Sequence, residues 1–164
     1  MSEQKTKEIF NSETLSTKSL TERAILWMNK IPTKEKNSEY LCLLSPDSKF
    51  ISDAFPDRKT PIEYGHMMYG AIFPSLPDFS MKFPIAFSGK NESDNKDIAV
   101  LLEIGHGTFK GAKVFNTSPT NKESNWICPW LFVFNKDKKI ETIYKGFDMA
   151  NVCRNFEWPP SAIK

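Results

Sequence analysis

An α+β domain, with helices laid over one face of a largely antiparallel sheet, is the fold class this sequence predicts. Three observations carry it. Helical periodicity is confined to the chain before Pro74, whereas the remainder is a succession of strand-like runs parted by polar loops. The 164 residues are 40% hydrophobic, with 13 Phe and 4 Trp, which suits one aromatic-rich core and leaves too little chain for a second comfortable domain.

Residues 1 to about 14 are polar and aperiodic and read as a loose tail, so a single domain is expected over 15–164. In SLTERAILWMNKI, Leu20, Ala24, Trp27, Met28 and Ile31 share a helical face, Ser19 with Glu22 forms a capping box, and Pro32 ends the helix. Residues 33–45, with Tyr40, Leu41, Leu43 and Leu44, predict a short second helix, and SKFISDAF a first strand. Thr60 before Pro61 starts a further helix through Ile62, His66, Tyr69 and Phe73, expected to stop before Pro74. Strands follow at FSMKFPIAFSG, DIAVLLEIGHGTF, NWICPWLFVFN and KKIETIYKGFDM, with Pro84 and Pro129 each predicted to mark an edge or a bulge.

The formal net charge is +2, and lysines alternate with acids in loops, so no basic stripe for nucleic acid is present. No run reaches the length of a membrane span and the N-terminal stretch lacks a secretory apolar segment, which predicts a cytoplasmic protein. Cys42, Cys128 and Cys153 fit neither a disulfide framework nor a C-x-x-C site, and His66 and His106 are the whole histidine complement; neither a metal nor a cofactor is expected. Trp126, Cys128, Trp130, Phe132 and Phe134 form one face of a strand, and Ile127, Leu131 and Val133 the other. With both faces apolar, one should line a pocket or contact a second copy of the chain, and a homodimer is expected.

Several phrases in this order resemble the SnoaL-like polyketide cyclase branch of the nuclear transport factor 2-like superfamily. They are Phe73-Pro74-Ser75-Leu76 followed by Pro77-Asp78-Phe79, then Gly107-Thr108-Phe109-Lys110-Gly111, Pro119-Thr120-Asn121, Lys138-Lys139-Ile140, Tyr144 and Phe147-Asp148. The likeness spans about residues 18 to 158. It implies a cone: a curved, mostly antiparallel sheet wrapped around helices, with a pocket at the wide end, as in ketosteroid isomerase, and a homodimer packed through its sheets. It also implies that Asp148 is the general acid/base in that pocket. The family's histidine position is occupied here by Phe109, and His106 stands three residues earlier.

A carboxylate among aromatic rings is desolvated toward the range useful for proton transfer, which suits enolisation beside a carbonyl. Asp148 equally fits the N-cap of a last helix, in which case it serves the backbone. Alternation sets Thr142, Tyr144, Gly146 and Asp148 on one face, so an inward Asp148 brings Tyr144 with it. His106, between two glycines, is the second candidate catalytic residue. Tyr144, Trp130, His66, Tyr69, Phe109 and Trp27 are the candidate contacts to a small hydrophobic, carbonyl-bearing molecule. The expected function is an acid–base isomerase or cyclase; the alternative is a ligand-binding or dimerisation module of the same fold without turnover. The small-molecule reading requires Asp148 to face inward and a cavity of roughly 300 Å³ or more.

Overall fold

The computed structural model describes residues 15–30 and 41–159. The expected tail before residue 15 and most of the helix expected over 33–45 lie outside the described residues. Helix α1, Leu20–Lys30, begins with the capping box: the Ser19 amide donates to Glu22 Oε2 (2.7 Å) and the Glu22 amide to Ser19 Oγ (3.2 Å). Ala24, Trp27 and Met28 make its buried face. Arg23 is buried too, and its Nη1 donates to the Lys138 carbonyl (2.8 Å), tying the helix to a distant turn.

Strand β1, Leu44–Ile51, takes over the end of the segment expected to be helical, because pairing with a distant strand outweighs the local leucine pattern. Helix α2, Pro61–Met67, carries its own capping box between Thr60 and Glu63. It runs on as a π-helical turn over Met68–Ile72 and a last turn at Phe73–Ser75. The helix therefore passes Pro74 instead of stopping before it. The Phe73 amide donates to the Met68 carbonyl, five residues back, and this widened turn eases the proline ring past the preceding carbonyls.

Strands β2 (Ser80–Lys90), β3 (Asp97–Thr108), β4 (Glu123–Phe134) and β5 (Ile140–Lys145) complete a mixed five-stranded sheet in the order β1-β5-β4-β3-β2. Among the described residues only the β1–β5 pairing is parallel. Pro84 lies on the edge strand β2 at a register shift, as predicted. Pro129 lies in the interior strand β4, where β5 departs: the pairing closes at Trp130–Lys145 and the Gly146 amide donates to the Pro129 carbonyl (3.0 Å). Helix α3, Met149–Phe156, returns to pack on β4.

The core lies between the helices and the inner face of the sheet, where Trp27, Tyr64, Trp130 and Phe132 meet ring to ring. Beyond α2, Asp78 fastens the chain to the end of β3, accepting from the Thr108 amide (2.7 Å) and pairing with Lys110 (2.9 Å). Lys110 and then Thr108 hold its carboxyl well below the usual carboxylate range. No helix among the described residues is long and apolar enough to cross a membrane.

Candidate functional site

Alternation along β3 buries Ala99, Leu101, Glu103, Gly105 and Gly107, so the strand presents one acid on an otherwise apolar inner face. Glu103 is 3% exposed. Its two oxygens are held separately: Trp126 Nε1 donates to Oε1 at 2.8 Å and Trp130 Nε1 to Oε2 at 2.7 Å. Charge-assisted bonds of this kind offset the desolvation that would otherwise expel a buried carboxylate. Both tryptophans come from the inner face of β4, four residues apart, flanking Cys128, which pairs in register with Glu103. Trp126 reaches the acid by crossing Gly105, and any Cβ there would lie 2.1 Å from the indole.

The positive partner of this site is Lys145, the last residue of β5 and 7% exposed. Its Nζ donates to the Tyr64 hydroxyl at 2.7 Å and lies 4.3–5.0 Å from the ring centres of Phe55, Tyr64, Trp130 and Phe147. Four π-faces and one hydroxyl replace the water an ammonium normally keeps. Trp130 thus touches both charges, through its N–H on Glu103 and its face on Lys145. Burial, reinforced by Glu103 and Cys128, drives the Tyr64 phenol well above its ordinary range, so it keeps its proton and can donate it. Burial also pushes the Cys128 thiol up to about 12, and its Sγ donates to the Gly146 carbonyl (2.9 Å).

Glu103, Lys145, Tyr64 and the two tryptophans line a pocket walled by Met28, Met68, Met81, Met149, Phe79, Phe147 and neighbours from all three helices. About 560 Å³ separates the walls when the mouth open to solvent is counted, yet the free cavity is about 40 Å³, room for a few waters. A larger guest must therefore displace wall side chains, and unbranched methionines are the ones that yield most easily.

Of the side chains expected at the site, Trp130 alone lines this cavity. Asp148 is exposed, and its Oδ1 accepts from the Asn151 amide (3.0 Å) as the N-cap of α3. It borders an open surface groove with Ile104, Asn125, Trp126, Ile127 and Asn151. His106 bonds to Asn125 through Nδ1 (3.1 Å) on that outer side. Tyr144, 42% exposed, faces outward as well. The pairing of Tyr144 with Asp148 on one face fails as an inward arrangement for two reasons. The register shift between Val133 and Phe134 makes Ile143 and Lys145 the inward residues, and β5 ends before Asp148. His66 is exposed with its ring against Tyr69 (5.4 Å), and neither lines the cavity. Trp27 and Phe109 are fully buried core residues, the latter packed on Phe156 and Trp158. The cavity also falls short of roughly 300 Å³. With Asp148 outward, both conditions set for a small-molecule site at Asp148 fail, and any such reading rests instead on Glu103, Lys145 and Tyr64 and on wall side chains that give way.

Glu103, Lys145 and Tyr64 are the chemically distinctive residues that sequence reasoning passed over. A signal existed: Glu103 falls in phase with Ala99 and Leu101, and two tryptophans four apart on one strand face each need an acceptor. Among the described residues, no group of three or more His, Cys, Asp or Glu could hold a metal.

No protein-family model matches the chain, and no curated protein matches it. Solved structures do. AclR from Streptomyces galilaeus is 16% identical with a TM-score of 0.62, over 87% of this chain and 85% of its own. A SnoaL-like polyketide cyclase from Agrobacterium tumefaciens is 12% identical with a TM-score of 0.58, over 84% and 98%. A protein with a ketosteroid isomerase-like fold from Catenulispora acidiphila, solved in complex with trimethylamine, is 13% identical with a TM-score of 0.59, over 84% and 94%. The chain has the SnoaL-like, ketosteroid isomerase-like cone fold: three helices against a mixed, mostly antiparallel sheet.

Proposed function

We propose that the chain is a small-molecule pocket protein that moves protons on a hydrophobic, carbonyl-bearing ligand, as an isomerase or cyclase does. One observation carries the reading: a buried acid and a buried amine are brought to the same indole inside an otherwise apolar pocket. Such groups cost stability unless they are fully satisfied, and their coexistence in a pocket favours use over accident. The carbonyl oxygen takes hydrogen bonds from Tyr64 and Lys145, which stabilise it as negative charge develops there. Glu103 accepts the proton from the neighbouring carbon. Several solved structures of this fold are described as polyketide cyclases, which agrees with carbonyl chemistry.

The test needs no knowledge of the natural substrate. Exchange of α-hydrogens of small ketones into D2O is followed by NMR with catalytic protein. Wild type accelerates exchange, Glu103→Gln loses it by about 100-fold or more, the scale of a positioned acid–base group, and Tyr64→Phe is reduced while its ring packing is kept. Equal exchange by wild type and Glu103→Gln, with both proteins folded by circular dichroism, removes Glu103 from the chemistry.

A second reading rests on the outer face of the sheet. Ile51, Tyr144, Leu131, Val100 and Phe87 are successive cross-strand partners, an uncharged row across all five strands. We propose that this face packs on a second copy of the chain; if the narrow cavity stays closed to ligands, assembly becomes the chain's principal role.

A further inference from the structure

We propose that Lys145 engages the carbonyl covalently, as an iminium, and that the natural ligand is an aldehyde or unhindered ketone. This rests on the carbonyl-pocket reading above and specifies how the carbonyl is held. Among the described residues, Lys145 is the lysine that is buried, and it is the one amine lining the cavity. Among the described residues the one hydrogen-bond partner of its Nζ is the Tyr64 hydroxyl, and the other two N–H groups face aromatic rings with no oxygen from those residues to receive them.

The step balances without any further reagent. The lysine ammonium and the carbonyl give a protonated imine and water: the C=O bond breaks, a C=N bond forms, and two of the three N–H protons leave on the oxygen. Positive charge is conserved, so the four rings that surround the ammonium at 4.3–5.0 Å surround the iminium equally well. Tyr64 accepts a hydrogen bond from the nitrogen, so it can take one ammonium proton as its own passes to the carbonyl oxygen, which frees the lone pair that forms the C–N bond, and it then relays the second proton to the departing hydroxyl. Water is the one product that must leave, and the free cavity is of water scale. Glu103 then takes a proton from the carbon beside the iminium, leaving a neutral enamine and a neutral acid.

Full-length protein is incubated with butanal or benzaldehyde and sodium cyanoborohydride at neutral pH, and the adducts are mapped by peptide mass spectrometry. The expected result is a single adduct at Lys145, formed at least 10-fold faster than at exposed lysines such as Lys49 or Lys82, and slowed about 10-fold by Tyr64→Phe. Adducts spread over exposed lysines with Lys145 unmodified overturn the proposal. Tryptophan fluorescence titrated with butanone separates the two readings, since Trp126 and Trp130 flank the site. Saturable quenching without an adduct overturns the iminium and leaves carbonyl binding standing, whereas no quenching and no adduct overturns both. Lys145→Met supplies the blank; should it fail to fold, the wild-type map and Tyr64→Phe still decide.

Discussion

At the scale of single residues, the site depends on Gly105, which makes no polar contact through a side chain. Its neighbour on β4 is Trp126, whose indole lies where a Cβ would stand, 2.1 Å from ring atoms that include the nitrogen donating to Glu103. The added methyl of Gly105→Ala cannot be absorbed by a flexible chain end, because the obstacle is a rigid ring held by its own hydrogen bond. The ring must lift and Glu103 Oε1 must lose its donor. Leaving a buried charged group short of a partner costs about 1–3 kcal/mol, and overpacking adds a cost of similar size. Thermal unfolding should therefore register a loss of roughly 2–6 kcal/mol, with the Trp126 emission shifted. A variant as stable as wild type would show that the indole has somewhere else to go. This dependence was not legible in EIGHGTF, where a glycine beside a histidine suggests backbone approach to a ligand and instead serves a tryptophan from the next strand.

At the scale of elements, the capping signals were readable because they are local. Ser19 with Glu22 and Thr60 with Glu63 each close their boxes within four residues of sequence. Asp148 carried two readings from sequence, and the described geometry supplies the cap, with the Asn151 amide bonded to its carboxylate at 3.0 Å. Which face β5 turns inward was not readable, since a single register shift opposite Phe134 reverses the alternation beyond Ile140. The strand from Leu44 was missed because its partner lies far along the chain, and the helix through Pro74 because the π-helical turn that admits the proline leaves no mark in the apolar pattern. The cap reading has its own consequence. Asp148→Ala should cost about 1 kcal/mol of stability and leave α-hydrogen exchange of ketones unchanged, since the residue is exposed and does not line the cavity. A loss of exchange with the melting temperature preserved would return Asp148 to the mechanism.

For the whole molecule, the question is what covers the outer face of the sheet. The apolar character of both faces of β4 was visible in NWICPWLFVFN, and the register now extends it from one strand to five. Ile127 is 63% exposed opposite Ile104, and Phe87 is 54% exposed at the far end of the row. The row from Ile51 to Phe87 is uncharged and meets its own image without repulsion, Lys49 and Lys82 standing beside it on the same face, and in a two-fold interface every residue acts twice. A stable contact needs about 800 Å² from each copy, which a face of five strands can supply. Sedimentation equilibrium should give about twice 18.8 kDa for the wild type. Ile127→Glu places a charge in the interface from both copies at once, and should weaken association by at least about 100-fold, on the order of 3 kcal/mol, with circular dichroism unchanged. Ile62→Glu provides the control, because Ile62 is exposed on α2 away from the sheet's outer face and its substitution should leave the mass at the dimer value. A monomeric wild type at 100-fold dilution series concentrations up to roughly 0.1 mM, far above the nanomolar to micromolar range of specific complexes, would refute the assembly and leave the apolar row without a partner.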